Sequence, residues 1–258
     1  MTEKRQLQFL FLGGSGYIGP YHVRAALAAG HRGSVFSRGK TAPGTLPEGA
    51  EQIIGDRDGS LDAIADRDWD VVVDLATYVP GRVRSLGAAL KERIGLYVFM
   101  STMMVYDEKA EAGALTEVSP VHVYGGEDDP FTLAQPAHYG AFKILCEREA
   151  ERLFPGRTLV LRLGHIVGPA DWHGGFTYWP ARVAHGGDVA VAGEADTPVQ
   201  IIDVRDIARF TIAMCEQDRA GVYNVTGPLG GLRLRELVDA AREESGGSTR
   251  AHYLPPAF

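Results

Sequence analysis

The sequence predicts a doubly wound parallel α/β sheet on three observations: short apolar runs alternate with helix-like stretches, those runs lack polar alternation, and glycines join the first run to the first helix. Runs at Leu7 to Leu12, Ser34 to Ser37, Gln52 to Ile54, Asp70 to Ala76, Leu96 to Ser101 and Thr158 to Leu163 read as strands. Val71 to Val73 and Tyr97 to Phe99 are apolar at successive positions, which suits strands covered on both faces. Tyr17 to Ala29 is rich in Ala and Leu and stops at Gly30, like a helix with its C-terminal cap.

Farther along, Tyr106 to Pro136 is acidic and interrupted by Pro and Gly, longer than an ordinary connection, and reads as a functional or mobile loop. Gly164 to Gly175 reads as another loop. Helices are expected near Phe176 to Ala184, Arg205 to Glu216 and Leu232 to Glu244, and strands at Val189 to Ala192, Val199 to Val204 and Val222 to Val225. The expected division is a nucleotide-binding core over 1–163 and a small substrate-binding lobe over 164–258, with segments at about 198–225 returning to the core.

Composition narrows the function classes. At 258 residues and 45% hydrophobic content, the chain has ample material for a packed interior. A net charge of −7 gives no overall positive field toward phosphate backbones or anionic lipid, so a small molecule is the expected partner and nucleic acid is not. Cys146 and Cys215 lack metal-ligand spacing and the density of a disulfide scaffold, and read as free structural thiols in a reducing compartment. The eight His show no metal spacing, so no metal is expected. Met1 to Arg5 is charged and leads straight into the first strand, and no apolar run approaches a membrane span. A soluble, cytoplasmic protein is expected, with a homodimer left open.

Gly14-Ser15-Gly16-Tyr17-Ile18-Gly19 matches the dinucleotide fingerprint, and Gly13, Gly16 and Gly19 give the wider three-residue spacing. Placed between a buried strand and a helix, these glycines allow a tight turn, close backbone approach to a pyrophosphate, and a helix N-terminus aimed at that anion, as in a Rossmann fold. The second strand ends in Ser37-Arg38-Gly39-Lys40, where an NAD enzyme usually carries an acidic residue for the ribose. Cations there favour the 2′-phosphate of NADP, with NAD the alternative; an ordinary solvated turn would carry the same residues. Asp56, after the third strand, can meet the adenine amino group or simply form a turn beside Gly55.

Tyr139 and Lys143 stand four apart in a helix-like stretch, which puts both on one face. Lys143 is expected to lower the phenol's pKa and make Tyr139 a usable acid or base. Thr102 ends the strand at Leu96 to Ser101, on the edge where a nicotinamide would lie; its hydroxyl can orient a substrate oxygen or merely cap the strand.

These marks come in an order. Gly13 to Gly19, Gly55-Asp56, Asp74-Leu75-Ala76, Ser101-Thr102 with Val105-Tyr106, Tyr139 to Lys143 and Leu161 to Pro169 together resemble the extended short-chain dehydrogenase/reductase family, the NAD-dependent epimerase/dehydratases. The resemblance spans nearly the whole chain. Gly55 to Gly59, Tyr178-Trp179-Pro180 and Gln200 to Asp206 further resemble a reductase-like branch related to plastid stem-loop-binding proteins. The family likeness implies that Tyr139 moves a proton, Lys143 holds the nicotinamide ribose and Thr102 orients the reacting oxygen. It also implies cofactor contacts from Gly13, Gly16, Tyr17, Ile18, Gly19, Ser37, Arg38, Lys40, Asp56, Arg57, Leu75 and Ala76.

Departures shape the expectation. Sugar dehydratases of the family carry an Asp-Glu pair after the catalytic Thr, where this chain has Met103 and Met104, so dehydration is disfavoured. His165 stands where nucleotide-sugar enzymes usually place an Asn, and either braces its loop or touches substrate. Relatives usually continue past the region of Tyr253 to Phe258, so a reduced or truncated lobe is expected. The leading functional expectation is NADP-dependent hydride transfer to or from a carbonyl or secondary alcohol. An epimerase working through a transient ketone with retained cofactor is the second, and a non-catalytic dinucleotide sensor or RNA-associated protein the third.

Overall fold

The structure is a computed structural model and describes residues 5–40, 46–107, 115–126, 138–171, 174–227 and 230–254. The chain begins with β1 (Gln8–Leu12), α1 (Gly19–Ala28), β2 (Arg32–Ser37), β3 (Glu51–Ile54), the short α2 (Asp62–Ala65), β4 (Trp69–Asp74), α3 (Pro80–Leu90) and β5 (Ile94–Thr102). Then come α4 (Tyr139–Leu153), β6 (Thr158–Leu163), β7 (His165–Val167), α5 (Tyr178–Ala184), β8 (Asp188–Ala192), β9 (Pro198–Val199) and β10 (Ile201–Asp203). The remainder is α6 (Val204–Glu216), β11 (Gly221–Val225), β12 (Leu232–Arg233), α7 (Leu234–Ser245) and β13 (Arg250–Leu254).

Two compact units result, one of 1–163 with 205–225 and one of 164–204 with 226–258. The first is built on a seven-stranded sheet in the order β11-β6-β5-β4-β1-β2-β3, with every pairing parallel. The strand order reverses between β1 and β4, and the crevice at the carboxyl ends beside such a reversal is where doubly wound sheets bind ligands. β1 and β4 to β6 are almost wholly buried. Leu10, Val72, Tyr97, Phe99 and Val160 pack with Trp69 and Phe154 into one cluster, so the carboxyl edge of the sheet stands on a packed apolar base.

In the second unit β8 pairs in parallel with β13, and Val183, Val189, Val191, Leu237 and Val238 form a small core with α5 and α7. Here the structure corrects the sequence reading. Gly164 to Gly175 was expected to be all loop, yet β7 lies within it and pairs in parallel with β10. The single strand expected at Val199 to Val204 is two: Val199 pairs antiparallel with Leu232, whereas Ile201 to Asp203 join β7, and Gln200 between them accepts a bond from the Gly227 amide at 2.8 Å. Strands of two or three residues are too short for periodicity to reveal. Much of the acidic loop read at Tyr106 to Pro136 falls outside the described residues; within them, Tyr106 bridges to Val121.

Candidate active site

At the carboxyl edge of β1, β2 and β4 lies a cleft of about 280 Å³, lined by Gly13, Ser15 and Gly16 of the first turn, Ser37 to Lys40, Gly55 to Asp58, Ala76 and Arg82. Gly13 has φ +82°, and a Cβ there would meet the Ala76 Cβ at 2.6 Å, so only glycine fits against the β4 turn. A Cβ on Gly16 would meet nothing nearer than the Gly13 carbonyl at 3.6 Å, which leaves the backbone open to the cleft. Gly19 opens α1 and would drive a Cβ to 2.3 Å from the Gly14 carbonyl; its part is close packing of helix on turn. Of the residues the sequence assigned to the cofactor, Tyr17, Ile18, Gly19, Leu75 and Lys143 do not line this cleft, while Gly13, Gly16, Ser37, Arg38, Lys40, Asp56, Arg57 and Ala76 do. The open turn and the helix N-terminus behind it fit a pyrophosphate.

Charge around the cleft is organised in pairs. Arg57 gives two bonds to Asp74, at 2.7 and 2.8 Å, and is therefore a fixed floor group rather than a free cation. Asp74 also accepts from the hydroxyls of Thr77 at 2.7 Å and Tyr97 at 2.8 Å. Burial alone would raise the Asp74 pKa, but Arg57 and the donated bonds bring it down to about 2. Arg82 clamps Asp58 through two bonds of 2.7 and 2.6 Å, and this pairing depresses the Asp58 carboxyl. Ser37 accepts from the Gly39 amide and Asp56 from the Asp58 amide, so both act as turn formers while facing the cleft. Arg38 and Lys40 are exposed on its rim.

The second part of the site joins β5 to α4. Tyr139 is the first residue of α4, and the Thr102 hydroxyl at the end of β5 is near enough to its phenol to favour the ionised form. Thr102 also caps the following turn, accepting from the Met104 amide at 3.2 Å, which is the capping role the sequence left open to it. Lys143 is buried and donates to the carbonyl oxygens of Thr77 at 2.8 Å and Met100 at 2.5 Å, with its ammonium 4.2 Å from the centre of the Phe99 ring. Desolvation lowers its pKa to about 8.

This arrangement corrects one expectation. Tyr139 was expected to have a lowered pKa; burial, with a smaller effect from Tyr78, instead raises it to about 12. The spacing does put Lys143 on the same helix face, but its ammonium is turned to two carbonyls. The rings of Tyr78 and Tyr139 lie 6.1 Å apart. His165 stands on β7 in the second unit, and a Cβ on Gly175 would sit 3.7 Å from its ring. Among the described residues no group of three or more His, Cys, Asp or Glu could hold a metal ion, and no helix is long and apolar enough to cross a membrane. Both cysteines are free and buried.

Sequence reasoning missed Arg82, the partners of Asp74, and a buried Glu147–Arg162 pair behind α4. One signal was available: Arg162 lies in an otherwise apolar strand and needs a buried counter-charge.

A family model for the NAD dependent epimerase/dehydratase family matches residues 9–226, from within β1 to just past β11, and so takes in both the glycine cleft and the Tyr139 region. The chain belongs to that family. Its members are enzymes of the short-chain dehydrogenase/reductase type. Solved structures agree on the fold: a putative epimerase from Burkholderia cenocepacia is 21% identical with a TM-score of 0.70, covering 98% of this chain and 85% of that one. UDP-glucuronic acid 4-epimerase from Bacillus cereus, in complex with NAD, is 19% identical with a TM-score of 0.75 over 96% of this chain and 88% of that one. UDP-N-acetylglucosamine 4-epimerase from Methanobrevibacter ruminantium, in complex with UDP-N-acetylmuramic acid, is 21% identical with a TM-score of 0.73 over 97% and 86%. No curated protein matches the sequence significantly. The finer likeness to stem-loop-binding relatives rests on the sequence motifs alone.

Proposed function

We propose that this enzyme inverts a secondary alcohol centre by oxidising it to a ketone and re-reducing it, with one nicotinamide dinucleotide retained throughout. The observation that carries this reading is the placing of Tyr139, first residue of α4, beside Thr102 at the carboxyl edge of β5, in a chain whose family is named for epimerases and dehydratases. The alternative reaction of that family has no residues here, since Met103 and Met104 follow Thr102 where elimination needs an acid and a base.

The bound dinucleotide supplies the hydride acceptor in the first half-reaction and the donor in the second. Tyr139 in its phenolate form accepts the hydroxyl proton as the ketone forms and, as the phenol, returns it on reduction, while Thr102 holds the same oxygen. Two of the three ammonium protons of Lys143 are bound by carbonyls, which leaves one for a ribose hydroxyl. Gly13 and Gly16 take the pyrophosphate, Asp56 the adenine amino group, and Arg38 and Lys40 a 2′-phosphate. That last assignment makes the cofactor NADP. NAD is the alternative, favoured by the family's description and by the NAD complex of the Bacillus cereus enzyme.

Net NADPH-dependent reduction of a small carbonyl compound is the second reading, favoured by the cations on the cleft rim. The experiment purifies the protein with its dinucleotide and offers secondary alcohols, UDP-sugars among them. Formation of an isomer with no lasting change in nicotinamide absorbance is the expected outcome. Stoichiometric NADPH consumption would replace epimerisation with reduction.

A further inference from the structure

Tyr139, Lys143 and Glu147 follow one another at intervals of four and project from three successive turns of α4 on one face. Each meets a different one of three consecutive residues of β5. Tyr139 comes beside the Thr102 hydroxyl, Lys143 donates to the Met100 carbonyl at 2.5 Å, and Glu147 accepts from the Ser101 hydroxyl at 2.5 Å. Glu147 accepts two more bonds, at 3.2 and 2.7 Å, from Arg162 on β6, which is the parallel partner of Ser101. The carboxylate thus straddles the rung joining β5 to β6, next to Thr102. The two side chains are only 8% and 7% exposed. Arg162 is held from its other side as well, donating to the Tyr106 hydroxyl and the Glu117 carbonyl at 3.0 Å each.

A buried ion pair contributes little net stability compared with apolar residues of the same volume, and the best-attested use of such groups is fixing register. Register matters here. Sliding α4 by one residue displaces it by about 1.5 Å and turns it by about 100°, enough to part Tyr139 from Thr102. We propose that Glu147, clamped by Arg162 and Ser101, is a positioning residue that fixes α4 against β5 and so keeps the Tyr139 phenol beside the Thr102 hydroxyl. The catalytic consequence rests on the reading of Tyr139 and Thr102 given above; the positional one does not.

The test uses the full chain with Glu147→Met/Arg162→Met, which removes the clamp without leaving an orphaned charge, beside Ser101→Ala and Tyr139→Phe. Three quantities are read: thermal melting, dinucleotide affinity by fluorescence, and the NMR resonance of the Tyr139 phenol carbon in labelled protein, assigned by its loss in Tyr139→Phe. The double variant is expected to melt and bind dinucleotide nearly as the native protein does, while the phenol resonance shifts. On a verified substrate its kcat should fall about tenfold or more with KM little changed, as a displaced reacting group requires. A native phenol resonance with native kcat per folded molecule would overturn the proposal and leave the pair a packing element. Should the double variant not fold, Ser101→Ala decides, since it cuts only the tie to β5: a shifted phenol supports the clamp and an unshifted one overturns it. Full turnover in Tyr139→Phe would remove the catalytic reading alone, because the resonance in the other variants still reports the register.

Discussion

Arg57 and Asp74 meet end to end beneath the cleft of the glycine turn, with two parallel bonds of 2.7 and 2.8 Å and no solvent exposure of the Asp74 side chain. The pair ties the turn after β3 to the end of β4.

Asp74→Asn should therefore be costly. It leaves the Arg57 guanidinium buried against a neutral amide, and removing one partner of a buried pair costs about 3–5 kcal/mol. Thermal melting should fall by roughly 10 °C for a chain of this size; an unchanged melting temperature would show that the pair contributes nothing. The pH dependence has a definite sign. Because the folded carboxyl titrates at about 2, below its ordinary 3.8, its stabilisation is present above pH 3.8 and is lost as pH falls through 2.

His22 sets a second acid limit at milder pH. It lies fully buried on α1, with Nδ1 bonded to the Ile18 carbonyl at 2.8 Å and Nε2 3.3 Å from the Thr211 hydroxyl, and burial lowers its pKa from 6.5 to about 4. The folded protein thus resists a proton that the unfolded chain accepts, so stability should decline as pH drops from 6.5 toward 4. The slope from this group is at most about 1.4 kcal/mol per pH unit. Urea melts of the native protein and His22→Leu across that window check it; identical slopes would rule the residue out.

Arg38→Ala separates the cofactors. Losing one charge-assisted contact to a 2′-phosphate should weaken NADPH roughly 10- to 100-fold, with little effect on NADH, which has no such group. Fluorescence titration with both dinucleotides measures the ratio. Equal losses would return the cofactor to NAD.

Tyr139→Phe should keep the fold and the dinucleotide affinity while turnover falls by about two orders of magnitude or more, the usual worth of a positioned general acid. Lys143→Met behaves differently, since it removes the ribose donor and strands the carbonyls of Thr77 and Met100, so affinity, turnover and melting temperature should all decline. Steady-state kinetics and binding on a verified substrate distinguish the two patterns.

The doubly wound sheet was legible in the residues alone, because strands buried on both faces must be apolar at every position and the first turn must be glycine where a Cβ would strike the turn after β4. The sequence also placed Tyr139 with Lys143, since four residues is one helical turn, and set Thr102 at a strand end. Tertiary structure alone decided which way each group turns. Lys143 faces two carbonyls contributed from far along the chain, Tyr139 is raised rather than lowered by what surrounds it, and Arg57 is consumed by Asp74 seventeen residues on. The small strands β7, β9, β10 and β12 belong to the same class, for they exist only as pairings between distant segments. Local pattern records which face a side chain occupies; the charges, carbonyls and strand edges it finds there are brought by other parts of the chain, and no spacing along one segment encodes them.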